Sequence, residues 1–458
     1  MRITICGTVA ALLGAGVASA PAGDLSPQAM RDDLRAFVDH LGRTHPQFLR
    51  YVSRDEWDLA AAAVEAKLGA LSDVGYFIEL CRLGRKVHDG HTGVLPTGDV
   101  MDVVLGQPLP VAFGLFDEGL FIVAASPDHA ALAGARVIAI GGRPAMDVLE
   151  EFAALVPADN EFAARANAVR LLGAWAIHEV LGGIDGGALP LAVAGPGGAR
   201  QTVRLERPAR SPPSFRGPDM TGWTRVGPID GAGAPLRDRQ PERPYWFEWL
   251  PQPRAVYVRF REVRNDGDEP IGEFAGRLFA FIEANDVQRL LIDVRGNGGG
   301  NNYLVQPIVH GVLRSSIDRP GRLFVLTDPL TYSAAVSLCA RLERETHALF
   351  VGDPTGAGPN HCGDAERFEL TGTGLTARIS ALLWQESDPR DARRWIAPDL
   401  PAPMTFHAWR AGGDPAIDAA MAFDSAAGPG LLTGAPIGDW NRPSQADAQA
   451  YGRALLRP

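Results

Sequence analysis

Arg289-Leu290-Leu291-Ile292-Asp293-Val294-Arg295-Gly296-Asn297-Gly298-Gly299-Gly300-Asn301 decides the fold class. Arg289 to Val294 is a short apolar run that reads as a buried strand, followed by a glycine-rich turn and a helix through about Leu313. The rhythm repeats on both sides. Ala255 to Phe260 reads as a strand and Ile271 to Ile282 as an amphipathic helix; Arg322 to Leu326 is a strand, Ser333 to Arg344 a helix, and Ala348 to Val351 a strand. Strands alternating with helices of this length predict βαβ crossovers, a largely parallel sheet and an α/β fold. Ligands of such sheets bind beyond the C-terminal strand ends, where the glycine turn lies.

That turn is chemically suggestive. Successive glycines let backbone N–H groups converge on one point, which suits a phosphate or the oxyanion of acyl transfer. Phosphate fits poorly, because no Gly-Lys-Ser/Thr follows and the spacing is not Gly-x-Gly-x-x-Gly. The next strand leads into Thr327-Asp328-Pro329-Leu330-Thr331-Tyr332-Ser333-Ala334-Ala335. Ser333 at a helix start is on its own account most simply an N-cap. It follows the strand after the glycine loop, however, so a nucleophile and its oxyanion donors, the N–H of Ala334 with that of Gly298 or Gly299, are expected side by side. Gly-x-Ser-x-Gly is absent from the chain, which argues against an α/β-hydrolase.

Leu291-Ile292-Asp293-Val294-Arg295-Gly296-Asn297-Gly298-Gly299-Gly300, then Thr331-Tyr332-Ser333-Ala334-Ala335, then Val351-Gly352-Asp353-Pro354-Thr355-Gly356 resemble, in that order, the core of C-terminal-processing (tail-specific) and tricorn-like serine peptidases. Pro398-Asp399-Leu400 and Asp414-Pro415-Ala416 resemble the end of the same domain. The resemblance implies a crotonase (ClpP)-like catalytic domain, Ser333 as nucleophile and peptide or unfolded-protein substrates. Tail-specific members use a lysine beyond the serine, but the only lysines here are Lys67 and Lys86, so that Ser/Lys pair cannot form. The tricorn-like branch takes a histidine from the upstream helical region. Val87-His88-Asp89-Gly90-His91-Thr92 resembles that element, with His91 as general base. Gly90 stands where the tricorn-like pattern has a serine, a departure that puts the usual relay to a distant glutamate in doubt. Glu386 is the expected distal acid, with Asp89 as the other candidate and His361 as the reserve base. His88-x-x-His91 supplies two metal ligands and no evident third, so neither metal nor organic cofactor is expected. The departures from the family pattern keep a rival open, a catalytically inactive peptide- or ligand-binding protein of the same fold. A crotonase-type acyl-thioester enzyme is a third option, without a nucleotide cradle to favour it.

Upstream, Ser26-Pro27 followed by Met30, Leu34, Phe37, Val38 and Leu41 reads as a capped amphipathic helix. Stripes from Trp57 and from Tyr76 to Val87 predict two more. From about Gln107 to Leu205 short strands and glycine turns take over, interrupted by a helix expected over Ala163 to Leu181. Ala130 to Gly142 resembles the core of a PDZ domain. Residues 207–244, rich in Pro, Gly and Arg, read as a connection. The expected organisation is a signal peptide over 1–22, a helical domain over 23–100, a PDZ-like domain over 101–206, a linker over 207–244, a catalytic domain over 245–425 and a tail over 426–458.

The signal peptide rests on Arg2, the weakly apolar Ile3 to Val17 and small-x-small cleavage sites, with cleavage expected after Ala22. Export to a periplasm or the medium follows, with no membrane span in the mature form. Oxidising surroundings would allow a Cys339–Cys362 bridge, with three unpaired buried thiols as the alternative. With 44 basic against 54 acidic residues, the chain carries a net charge of -10 and is a poor partner for nucleic acid. Its 458 residues are enough for two or three domains, and the sequence leaves the oligomeric state open.

Overall fold

A computed structural model describes residues 25–214, 217–227 and 234–424. The expected signal peptide, Cys6 and the tail over 426–458 lie outside the described residues. The fold is mixed α/β, and the chain divides into two compact units. One comprises Gly227–Asn360 with the chain from Gln385 onward; the other comprises the chain up to Val226 together with His361–Trp384.

The first unit is built on a six-stranded sheet. Its strands run, edge to edge, Leu400–Pro401, Leu349–Gly352, Leu323–Thr327, Arg289–Asp293, Ala255–Phe260 and Tyr245–Leu250. All neighbours are parallel except the last pair, and the register sets Val258 beside Ile292 and Ile292 beside Val325. The helices Ile271–Ala284, Gln306–Arg314 and Ala334–Glu345 supply the crossovers. Both sheet faces are covered, which is why the central strands are apolar without alternation. Leu290, Ile292, Val325 and Phe350 pack with those crossover helices. Leu291, Phe324, Leu326 and Val351 pack on the other side with Ala416 and Ala420, from the helix Pro415–Ala422.

The second unit opens with three helices, Pro27–Thr44, Arg54–Glu65 and Asp73–Arg85, each begun by a serine side chain accepting a backbone N–H. Their apolar faces, including Phe37, Trp57, Tyr76 and Leu80, form one core with the strands Val111–Phe116, Gly119–Ala125, Arg136–Ile140, Ala188–Ala194 and Arg200–Glu206. The helix expected over Ala163 to Leu181 is instead two, Glu161–Leu171 and Trp175–Val180. Gly173 lies at the break, and its neighbours are captured by an extended segment: Leu109 N donates to Gly173 O (2.8 Å) and Trp175 N to Gln107 O (3.2 Å).

The stretch 245–425, taken from sequence as one domain, is interrupted. His361–Trp384 forms most of a long hairpin that belongs to the helical unit, where Leu375–Gln385 pairs with Gly93–Leu95. Asp33 of the first helix accepts the amides of Gly372 (3.0 Å) and Thr373 (2.7 Å) at the hairpin turn, and Leu370, Leu375 and Ile379 complete the core. Cys81, Cys339 and Cys362 are all free and buried, so the Cys339–Cys362 bridge is not formed. Burial pushes all three thiols up. Among the described residues no helix is long and apolar enough to cross a membrane.

Candidate active site

The glycine loop leaves the strand Arg289–Asp293 and turns back on itself through Gly296 (φ 68°), Gly299 (φ 104°) and Gly300 (φ 137°). Its path is fixed from several directions. Gly296 N donates to Asp328 Oδ1 (2.9 Å), and Asn297 Nδ2 donates to Phe260 O (2.9 Å). Asn297 O receives Tyr332 N (2.9 Å), which ties this loop to the serine loop. A Cβ on Gly299 would stand 2.6 Å from Ser333 Cβ and 2.8 Å from Ala334 N, so only glycine permits this approach.

Ser333 is the residue before the helix Ala334–Glu345. At φ 55° and ψ −128° it occupies a conformation that L-residues avoid, and its side chain makes no capping hydrogen bond. The side chain therefore does not cap this helix. A strained non-glycine residue costs about 1–3 kcal/mol and persists only where its surroundings impose it. Here Tyr332 N is held by Asn297 O, Thr331 Oγ1 donates to Val294 O (3.0 Å), and Thr331 O receives Gly356 N (2.9 Å). Behind it, Val336 N (2.8 Å) and Ser337 N (3.1 Å) donate to Ser333 O. Ser333 itself is half-buried, between the buried Tyr332 and Ala334.

The two loops also sort the oxyanion candidates. The first N–H groups of a helix have no partner within it, and Ala334 is the first residue of this helix. Gly299 is a correction: its N–H already donates to Asn297 Oδ1 (2.9 Å), and its carbonyl accepts Val263 N (2.8 Å). Asn297, absent from the sequence-based candidates, spends its side chain shaping the loop.

Solved structures can now be set beside this geometry. Mature CPAF in complex with lactacystin is similar over 84% of this chain and 96% of its own, at 15% identity and a TM-score of 0.59. Mature CPAF without that compound is similar over 84% and 95%, at 14% identity and a TM-score of 0.58. The chain shares the fold of mature CPAF. Tricorn protease aligns over 86% of this chain and 36% of its own at 15% identity, with a TM-score of 0.37. No family model matches the chain, and no curated protein matches it.

Within this CPAF-like fold, the helical unit holds its own cluster of titratable groups. Asp89 is buried, and His91 follows it by two residues. One carboxylate oxygen, Oδ1, accepts His91 N (3.0 Å) and lies 3.8 Å from His91 Nδ1. The other, Oδ2, receives Thr92 Oγ1 (2.6 Å) and Ser380 Oγ (2.6 Å) and lies 3.1 Å from His45 Nε2. Gln47 N donates to His45 Nδ1 (3.1 Å), so Nδ1 is the bare nitrogen of that ring and Nε2–H points at Asp89. Burial alone would push the Asp89 carboxyl up, but His45 and His91 hold it well below the usual carboxylate range. The His91 ring stacks on His361, with centroids 6.5 Å apart and planes 15° from parallel. His45 and Ser380 carry no signal in sequence, since they lie 44 and 291 residues from Asp89.

Glu386 lies in the other unit, half-buried. Burial pushes its carboxyl up, against the pull of the Ser337 hydroxyl and of Arg341 and Arg344. Ser337 is one helical turn beyond Ser333, so this acid is brought to the serine's own helix. Asp89, by contrast, is beside His91. Among the described residues no group of three or more His, Cys, Asp or Glu side chains is arranged to hold a metal ion.

Proposed function

We propose that the protein is an exported serine-type endopeptidase acting on peptide or unfolded-protein substrates, with a crotonase-like catalytic domain and a PDZ-like domain upstream. The observation that carries this reading is the strained Ser333 at a helix start, uncapped and pressed against Gly299. Such a turn is energetically justified where the hydroxyl must point away from its own helix cap.

In the proposed mechanism His91 takes the Ser333 proton as Oγ attacks the peptide carbonyl, and the amides of Ala334 and Gly298 stabilise the oxyanion. His91 then protonates the leaving amine, which departs with one half of the peptide. Water, deprotonated by His91, attacks the acyl-enzyme and releases the other half with Ser333 restored. Asp89 orients the imidazole and stabilises its cationic form; Glu386 acts from the serine side, through the helix that carries Ser333 and Ser337. This chemistry calls on no cofactor.

Hydrolysis of reduced, carboxymethylated protein by the purified mature chain tests the reading. Cleavage that disappears in Ser333→Ala supports it. No cleavage by folded wild-type protein would favour the inactive binding protein instead.

A further inference from the structure

Beneath the glycine loop lies a set of charges that the proposed reaction does not use. Asp293, the fully buried last residue of its strand, accepts Tyr257 OH (2.6 Å) and the Arg295 guanidinium through both oxygens, from Nε (2.9 Å) and Nη2 (2.6 Å). Arg295 then grips Asp414 with a second fork, Nη1 to Oδ1 (2.8 Å) and Nη2 to Oδ2 (2.8 Å). Asp414 also receives Arg237 Nη1 (3.0 Å) and caps the helix Pro415–Ala422 through Ile417 N (3.3 Å). The surface exposures of the Arg295 and Asp414 side chains are only 12% and 9%.

We propose that this Asp293–Arg295–Asp414 clamp is a positioning device that sets the oxyanion loop from the far side of the sheet. The inference rests on the acyl-transfer reading above. Stability alone explains the clamp badly, because the desolvation of buried ions commonly equals or exceeds what their attraction returns. Its location explains it better. Arg295 is the residue before Gly296, whose amide is fixed to Asp328, and Asp328 Oδ1 also receives Leu330 N (3.0 Å) in the serine loop. A continuous line of hydrogen bonds therefore runs from the cap of the last described helix, through Arg295 and Gly296, to the turn that strains Ser333. Two interlocked forks leave Arg295 one orientation, which lysine could not reproduce. Asp293, Arg295 and Asp414 act through the loop and touch no substrate.

Asp414→Asn separates the clamp from the cap. Asparagine caps a helix as well as aspartate does, but its amide would turn a donor toward the guanidinium of Arg295 or Arg237. The readout is the rate at which a fluorophosphonate probe phosphonylates Ser333, its Oγ–P bond forming as fluoride leaves, beside the thermal midpoint. Wild type is expected to label. Asp414→Asn is expected to label about ten- to a hundredfold more slowly with native circular dichroism, and Asp414→Glu to recover part of the rate. Should Asp414→Asn fail to fold, Arg295→Lys serves in its place, with the same slowing expected. Labelling of a folded variant at the wild-type rate, whatever its midpoint, would overturn the positioning role and leave the peptidase reading intact. Wild-type protein that never labels would instead remove the reading on which the clamp depends.

Discussion

The serine unit and the helical unit hold their key side chains by opposite means. Ser333 is set by backbone: the carbonyls of Asn297, Val294 and Thr331 and the amide of Gly356 impose its unusual φ and ψ, between Tyr332 and Ala334 and against Gly299. His91 is set by side chains, through a buried Asp89 whose oxygens also take His45, Thr92 and Ser380. A backbone-built site comes from short runs of residues on a few successive loops and tolerates almost no added atoms. A side-chain-built site is assembled from distant pieces of chain and is sensitive to charge. Substitutions in the two units should therefore fail differently.

The largest effect belongs to Ser333→Ala, which should reduce peptide hydrolysis by at least about 10⁴-fold while leaving the fold intact, as activity assays and circular dichroism would reveal. Gly299→Ala comes next. The new methyl group meets Ser333 Cβ and Ala334 N at a φ of 104°, so about 1–3 kcal/mol of strain must be absorbed by moving the loop. Activity should fall about a hundredfold, with a lower urea midpoint, and an unchanged variant would show that the two loops are not rigidly coupled.

In the helical unit the expected changes track charge. Asp89→Asn should lower hydrolysis about 10²- to 10⁴-fold, because the amide cannot stabilise a cationic His91. It should also alter stability against pH. The Asp89 carboxyl is held well below its unfolded value of about 3.9, so its contribution is present above that pH and is lost as pH falls further. Wild-type stability should drop on acidification below about pH 4, and the drop should be shallower in Asp89→Asn by chemical denaturation at a series of pH values. The smallest effect is expected of His45→Gln, about tenfold in activity, since Thr92 and Ser380 still donate to the same carboxylate oxygen. An effect as large as that of Asp89→Asn would mean that His45, not the hydroxyls, fixes the acid.

The same contrast explains what could be read from sequence. The alternation of strand and helix from Ala255 to Val351 and the adjacency of the glycine and serine loops follow from local pattern, and the parallel register brings them together. Ser333's strain had a weaker trace, a serine before a helix, which by itself describes any N-cap. His45 was invisible because an isolated histidine before a proline carries no pattern, and only folding brings it to Asp89. Gly299 was a reasonable oxyanion donor until Asn297 claimed its amide, a competition that residue types do not reveal. The return of His361–Trp384 to the helical unit was hidden for a similar reason: its pairing partner, Gly93–Leu95, is too short to stand out as a strand.

The most direct test of the account is peptide mapping by mass spectrometry after fluorophosphonate treatment of wild type and His91→Ala. The account predicts a phosphonylated Ser333 in the wild-type protein and little or none in folded His91→Ala. Labelling at another residue, or equal labelling of Ser333 in both proteins, would contradict it.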